Sequence, residues 1–197
     1  FDVFHNFRPG MKENDLQSLM AEGIYRAGAE YIEGWVVNSG SRTSPRSFNY
    51  SDRPVRPGEL LSLESCHVTY CGYKTCYDRT FYVGQKPDAL QKEVYALTAD
   101  LQHKVKDLLR PGITSKDIEN TRPFPPKSFD TLEEMQKHRA TWYTNHLGGM
   151  GIRWDDAPTC EGDEPETVIQ KNMVISYHAI HCVNNYQGVA IENTFAI

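Results

Sequence analysis

Residues 58–81 read Gly-Glu-Leu-Leu-Ser-Leu-Glu-Ser-Cys-His-Val-Thr-Tyr-Cys-Gly-Tyr-Lys-Thr-Cys-Tyr-Asp-Arg-Thr-Phe, and their reading decides the fold. Glu59 to His67 alternates as a strand, Tyr70-Cys71-Gly72 supplies a turn, and Lys74 to Val83 returns as the partner strand. Glu64 and Cys66 lie two apart, so a strand sends both side chains to the same face. Cys76 lies on the returning strand.

Working outward, the same nine-residue pattern flanks this hairpin on both sides. Arg8-Pro9-Gly10-Met11 leads to Asp15-Leu16, and Arg110-Pro111-Gly112-Ile113 leads to Asp117-Ile118. A Pro-Gly turn between two helices explains one copy; two copies predict a duplicated unit. After the first copy, Leu16, Leu19, Met20, Ile24 and Ala27 mark a helix face, and Tyr31 to Asn38 reads as a strand. A Ser/Arg/Pro-rich loop, 39–57, precedes the hairpin. Leu90, Val94, Leu97, Leu101, Val105 and Leu108 then mark a long amphipathic helix. Past the second copy, 121–131 reads as a proline-rich loop, 133–138 as helical, and 142–154 as a segment containing Gly148-Gly149-Met150-Gly151. Asn172 to Ile180 and Gly188 to Ile197 read as two more strands. This order predicts an α+β fold with an antiparallel curved sheet and helices on one face.

Composition narrows the function classes. The net charge is −5, which argues against a nucleic-acid partner, since duplex binding needs clustered Lys and Arg. No apolar run approaches the roughly 18 residues that a membrane span requires. Five cysteines without a dense framework suit a reducing, cytoplasmic setting. The chain of 197 residues fits one domain, with an N-terminal domain and a short C-terminal tail expected beyond it.

Chemistry is sought where polar residues interrupt apolar strands. His178 follows Met173-Val174-Ile175-Ser176-Tyr177, and Glu192 follows Val189-Ala190-Ile191. A carboxylate in such a place is costly unless paired, protonated or bound to metal. Glu64, His178 and Glu192 with Cys66 and Cys76 therefore form a candidate ligand set. Each taken singly also has a structural reading, the cysteines as small buried apolar residues. Arg42 and Arg46 could clamp a substrate carboxylate through two parallel bonds, or be surface arginines.

These stretches resemble the creatinase, aminopeptidase P and methionine aminopeptidase superfamily. Residues 58–64 and 72–81 resemble its paired strands, 172–178 its Gly-Met-Val strand, and Gly188-Val189-Ala190-Ile191-Glu192-Asn193-Thr194 its Gly-Val-Arg-Ile-Glu-Asp-Thr strand. Glu30-Tyr31-Ile32-Glu33-Gly34, Ser39-Gly40-Ser41-Arg42-Thr43-Ser44-Pro45 and Ser51-Asp52-Arg53 resemble the bacterial dimethylsulfoniopropionate lyase branch. The resemblance implies a pita-bread fold of two pseudo-symmetric halves. It implies one or two divalent transition metal ions, iron or zinc, a small carboxylated substrate, and a homodimer. Five family ligand positions map onto this chain: Glu64 and Cys76 replace two Asp, His178 replaces a Glu, and Glu192 is unchanged. Cys66 matches a further Asp of the lyase branch. The family histidine falls on His146 or on Gly148. In the second register a functional Tyr of the lyase branch falls on Tyr143. Asp155 matches a lyase-branch Asp implicated as base. With His146 in place, the implied activity is a metal-dependent hydrolase or lyase. With Gly148 there, the site is degenerate and metal-free, as in a creatinase-type hydrolase or an inactive binding module.

Overall fold

A computed structural model describes residues 2–121, 140–149, 166–183 and 185–197. It is a pita-bread fold, built as a mixed α/β arrangement around one antiparallel sheet. The elements run α1 (Asp2–Asn6), α2 (Glu13–Arg26), β1 (Tyr31–Ser39), β2 (Leu60–Tyr70), β3 (Tyr73–Tyr82), α3 (Ala89–Leu108), α4 (Ser115–Glu119), β4 (Ala140–Gly149), β5 (Val174–Val183) and β6 (Gly188–Ala196). The hairpin expected at 59–83 is present, and its turn places Cys71 and Gly72 at positive φ. The Gly-rich stretch that begins at residue 148 is in part a strand end, since β4 runs to Gly149. The helix expected at 133–138 lies outside the described residues.

Strand order is β1-β2-β3-β6-β5-β4. The sheet is thus two three-stranded units joined edge to edge, β3 against β6, each unit mirroring the other. The Arg-Pro-Gly repeat obeys the same relation in hydrogen-bonding detail. The Gly10 amide donates to the Val55 carbonyl at 3.0 Å, and the Gly112 amide to the Ile169 carbonyl at 2.8 Å. In return Val55 donates to Met11 and Ile169 to Ile113, both at 2.8 Å. Both copies then cap a helix, with the Lys12 amide on Asp15 Oδ2 at 2.8 Å and the Thr114 amide on Asp117 Oδ2 at 2.9 Å. Each copy therefore pins a short extended segment under a helix start, satisfying backbone groups that would otherwise be orphaned.

The helices cover one face of the sheet. Leu16 of α2 packs with Val37, Val55, Leu61, Leu63 and Val83. Leu101 and Val105 of α3 pack with Ile175, Tyr177 and Ala179. The face of α3 differs slightly from the apolar pattern: Leu97 is exposed, and the polar Thr98 and Gln102 face the sheet. Both are paired there. Gln102 Nε2 donates to the Tyr177 carbonyl at 2.8 Å and to that of Ile191, and Thr98 Oγ1 lies 2.9 Å from His181 Nδ1. With odd-numbered residues of β5 on the helix side, even-numbered ones, including His178, emerge on the opposite face.

Two predictions follow from this scaffold. Gly10 and Gly112 have φ of +94° and +96°, and an added Cβ would meet nothing within 4 Å at either. Gly10→Ala and Gly112→Ala should each cost about 1–2 kcal/mol, the left-handed penalty alone, measured by urea unfolding. Burial lowers the pKa of His181 to about 4. The folded state thus resists a proton that the unfolded chain accepts near pH 6.5, so stability should be full above about 6.5 and fall progressively toward pH 4. His181→Gln should flatten that part of the stability-against-pH curve.

Candidate functional site

One row of residues crosses the whole sheet. The register pairs Val36 with Glu64, Glu64 with Asp78, Asp78 with Glu192, Glu192 with His178, and His178 with His146. Directly opposed residues in antiparallel strands share a face. Glu64, Asp78, Glu192 and His178 accordingly meet on the face away from the helices, all of them buried.

Asp78 reaches this row through a defect in the hairpin. Near the turn, Tyr70 opposes Tyr73 and Val68 opposes Thr75, but beyond a shift between Val68 and Ser65 the pairing is Ser65 with Tyr77 and Glu64 with Asp78. One extra residue in β2 makes that bulge, and His67 there takes φ of +50°. A regular ladder continued from the turn would have opposed Glu64 with Arg79. The sequence reading places the family's second Asp position at Cys76 and so does not single out Asp78.

The contacts are dense. Donor atoms of Glu64, Asp78 and His178 lie within 4.8 Å of one another. His178 Nε2 is 3.1 Å from Asp78 Oδ2, and Nδ1 is 3.5 Å from Glu192 Oε2. Ser62 Oγ donates to Asp78 Oδ1 at 3.0 Å, Cys66 Sγ to Glu64 Oε1 at 2.8 Å, and Ser176 Oγ to Glu192 Oε1 at 2.5 Å. The Arg46 guanidinium enters from the loop between β1 and β2. Its Nη2 pairs with Glu64 Oε2 and lies 2.6 Å from Asp78 Oδ2, and Nη1 donates to Ser62 Oγ at 2.8 Å. Glu192 Oε2 is buried and, among the described residues, lacks a hydrogen-bond donor, with His178 Nδ1 3.5 Å away.

Electrostatics follow from this packing. Burial alone would raise the Glu64 pKa, but Arg46, His178 and the bond from Cys66 outweigh it and hold the carboxylate below its usual value. Glu192 is pushed the other way, by burial first and then by Glu64 and Asp78, against the pull of His178 and Ser176. Burial opposes charge on His178, yet Glu192, the bond to Asp78 and the Glu64 charge raise its pKa. Burial and neighbouring carboxylates push both Cys66 and Cys76 well above the normal thiol range.

The residues singled out from sequence are distributed unevenly around this row. Glu64, His178 and Glu192 are in it, with Cys66 beside Glu64. Cys76 is buried two residues from Asp78, its sulfur accepting from the His67 amide at 3.2 Å. Arg46 is inside the cluster, bound to carboxylates of the protein. Arg42 instead pairs with the buried Glu13, Nε to Oε2 at 3.0 Å, and with Asn49. The backbone of His146 stands opposite His178, and Gly148 opposite Ser176. Tyr143 stands opposite His181 in register. Asp155 lies outside the described residues.

Among the described residues, two carboxylates and an imidazole have mutually close donor atoms that suit a divalent ion, and Glu192 Oε2, 3.5 Å from His178 Nδ1, is a further acidic donor beside them. The donor set therefore fits a metal.

Comparison with known proteins places this geometry. An Xaa-Pro dipeptidase of Pyrococcus horikoshii is 27% identical over 191 residues, covering 95% of this chain and 51% of the relative. The dimethylsulfoniopropionate lyase DddP of Roseobacter denitrificans is 29% identical over 109 residues, covering 54% of this chain and 24% of the relative. The crystal structure of a prolidase from Pyrococcus horikoshii superposes with a TM-score of 0.82 at 25% identity, over 100% of this chain and 54% of that one. The chain thus spans about half the length of the dipeptidase and prolidase it matches. Among the described residues no helix is long and apolar enough to cross a membrane. The model of metallopeptidase family M24 matches residues 2–197, and the chain belongs to that family.

Proposed function

We propose that this chain carries the active centre of a divalent-metal-dependent hydrolase of small substrates, of the Xaa-Pro dipeptidase kind. The observation that carries the reading is the buried row itself. Three carboxylates and a histidine converge from four different strands, and Glu192 Oε2 is without a hydrogen-bond donor among the described residues. Such an arrangement is costly to a fold unless a cation repays it. Peptide hydrolysis is favoured over elimination because the dipeptidase likeness covers 95% of the chain and the lyase likeness 54%.

A divalent ion bound here would supply Lewis-acid polarisation of a carbonyl and activation of water. Glu64, Asp78, His178 and Glu192 would hold it, with His146 joining from the neighbouring register position. The carboxylates are pre-oriented: Ser62 fixes Asp78, Cys66 fixes Glu64, and Ser176 fixes Glu192. Such supporting bonds hold ligands in their binding rotamers before the ion arrives. His178, between Asp78 and Glu192, can take or release a proton at either ring nitrogen within bonding range of both acids. Asp155 is the proposed base from outside this row and Tyr143 a further acid or base, both carried by the likeness to the lyase branch. With no cysteine in the group of mutually close donors among the described residues, zinc, iron(II), cobalt and manganese all suit the set.

A second reading rests on Arg46. Its guanidinium already neutralises Glu64 and Asp78, which is how a metal-free binding module or metal-free hydrolase could keep these acids buried.

Elemental analysis of protein purified without chelator separates the two. The metal reading expects a stoichiometric transition metal whose affinity falls at least about 100-fold in Glu192→Ala and His178→Ala, since even supporting groups behind ligands are worth 10–100-fold. No uptake of zinc, iron, cobalt or manganese would leave the metal-free reading. For activity, hydrolysis of an Xaa-Pro dipeptide should vanish on chelation and return on re-addition of metal. Release of dimethyl sulfide from dimethylsulfoniopropionate in place of dipeptide cleavage would assign the lyase chemistry instead.

A further inference from the structure

We propose that Thr80 and Thr194 are positioning residues: their hydroxyls clamp β3 to β6 on either side of Asp78 and Glu192, and so set the gap that His178 bridges. The inference deepens the reading of the buried row as the working centre and rests on it, whether or not an ion is held there.

The seam between the two halves is short of ladder pairing. Among the described residues the register matches β3 with β6 only at Asp78 and Glu192, while every other adjoining pair of strands is matched along most of its length. That one rung opposes two acids, and like charges directly across an antiparallel pair are destabilising. The sheet therefore needs a further tie where the row crosses it.

Two threonines supply the tie. The Ala190 amide donates to Thr80 Oγ1 at 2.9 Å, and that hydroxyl donates to the Ala190 carbonyl at 3.0 Å. The Cys76 amide donates to Thr194 Oγ1 at 3.1 Å, and that hydroxyl donates to the Cys76 carbonyl at 3.0 Å. A hydroxyl carries one donor and two acceptor sites, so each Thr takes up both backbone groups of the residue it grips. The clamp obeys the two-fold plan of the sheet. Thr80 follows Asp78 by two and grips the residue two before Glu192; Thr194 follows Glu192 by two and grips the residue two before Asp78. Between each acid and its Thr stand Arg79 and Asn193, which alternation sends to the other side of the sheet. There Arg79 Nη1 donates to the carbonyls of Asp78 at 2.7 Å and Glu192 at 2.6 Å, and Nη2 to Asn193 Oδ1 at 2.5 Å. The two acids are thus bracketed along their strands by hydroxyls and tied from behind by a guanidinium.

A threonine that only filled its place could be a valine, which has the same shape and strand preference. The hydroxyl adds a fixed distance between strands. His178 Nε2 lies 3.1 Å from Asp78 Oδ2, and Nδ1 lies 3.5 Å from Glu192 Oε2. Hydrogen bonds in this range weaken quickly as geometry departs from the optimum, so a small change in the spacing of β3 and β6 changes how the two acids share the imidazole.

The test uses metal-free, isotope-labelled protein and NMR, comparing the wild type with Thr80→Val, Thr194→Val, Thr80→Ser and Thr194→Ser. Two quantities are read at one fixed pH: hydrogen exchange of the gripped amides, and the 15N signals of the His178 ring, which report its bonding to the two acids. Thr194→Val should speed exchange at Cys76, and Thr80→Val at Ala190, by at least about fivefold, as expected for one lost hydrogen bond. Both should also move the His178 signals. The serine variants keep the hydroxyl and should return both quantities to wild-type values. Unchanged exchange in the valine variants overturns the proposal. So does faster exchange with unmoved His178 signals, which would make the threonines merely structural. A serine variant that behaves like its valine counterpart overturns it too. If one valine variant fails to fold the other decides, and failure of both overturns the positioning role. Zinc affinity, measured separately in the same proteins, keeps the metal reading apart. A wild type that takes no zinc sinks that reading alone and leaves the clamp to the NMR result. Binding that weakens about 10–100-fold in the valine variants and recovers in the serine ones upholds both; binding unchanged in the valine variants sinks the positioning role alone.

Discussion

Three carboxylates share one buried row in the middle of this sheet, and the rest of the structure is arranged around keeping them there. Acids so close together repel one another and lose their hydration, so each must be matched by a donor or a cation. The matching groups come from every direction: serines from neighbouring strand positions, a thiol from the bulge, a histidine from across the seam, and an arginine from a loop. Removing any one of them leaves a buried charge with less than it needs. That constraint makes the helix side of the sheet, which is ordinary apolar packing, subordinate to the polar side in deciding what the protein can do.

The two halves are alike in backbone and unlike in charge. Glycine, capping aspartate and bridging pair recur in each, and the strand order reads the same from either edge. Yet Glu64 is answered in the second half by His178, its counterpart on the middle strand of that unit, while Asp78 is answered by Glu192. Duplication supplied a symmetric frame, and substitution on that frame produced an uneven distribution of acid, base and arginine. The first half carries Arg46 as its own counter-charge. The second half leaves an acid open toward the cluster.

Much of this was legible in the sequence. Alternation, turn residues and the Arg-Pro-Gly repeat outlined the hairpins and the two-fold plan, because these signals act over a few residues. Glu64, His178 and Glu192 stood out because a polar side chain inside an apolar strand is conspicuous. Asp78 did not, because Tyr77-Asp78-Arg79 reads as an ordinary polar stretch and the bulge that turns Asp78 to the row depends on pairing between strands. Arg46 was noticed but given a substrate to hold, since a Ser- and Pro-rich loop carries no local mark of folding inward. The strand character of residues 140–149 was hidden by Gly148 and Gly149, whose pairing with β5 is a long-range matter.

The extra residue between Ser65 and Val68 bears on how such a site tolerates change. Length variation at the hairpin tip, Cys71 and Gly72, would be absorbed by the turn, leaving the strands beyond it in step. Deleting one residue from the bulge would leave a single residue of β2 opposite Cys76 and make the ladder regular, with Glu64 still opposite Asp78. A slip of the whole ladder that kept the extra residue but flattened the bulge would instead set Arg79 opposite Glu64, putting a base in the place of an acid at the centre of the molecule.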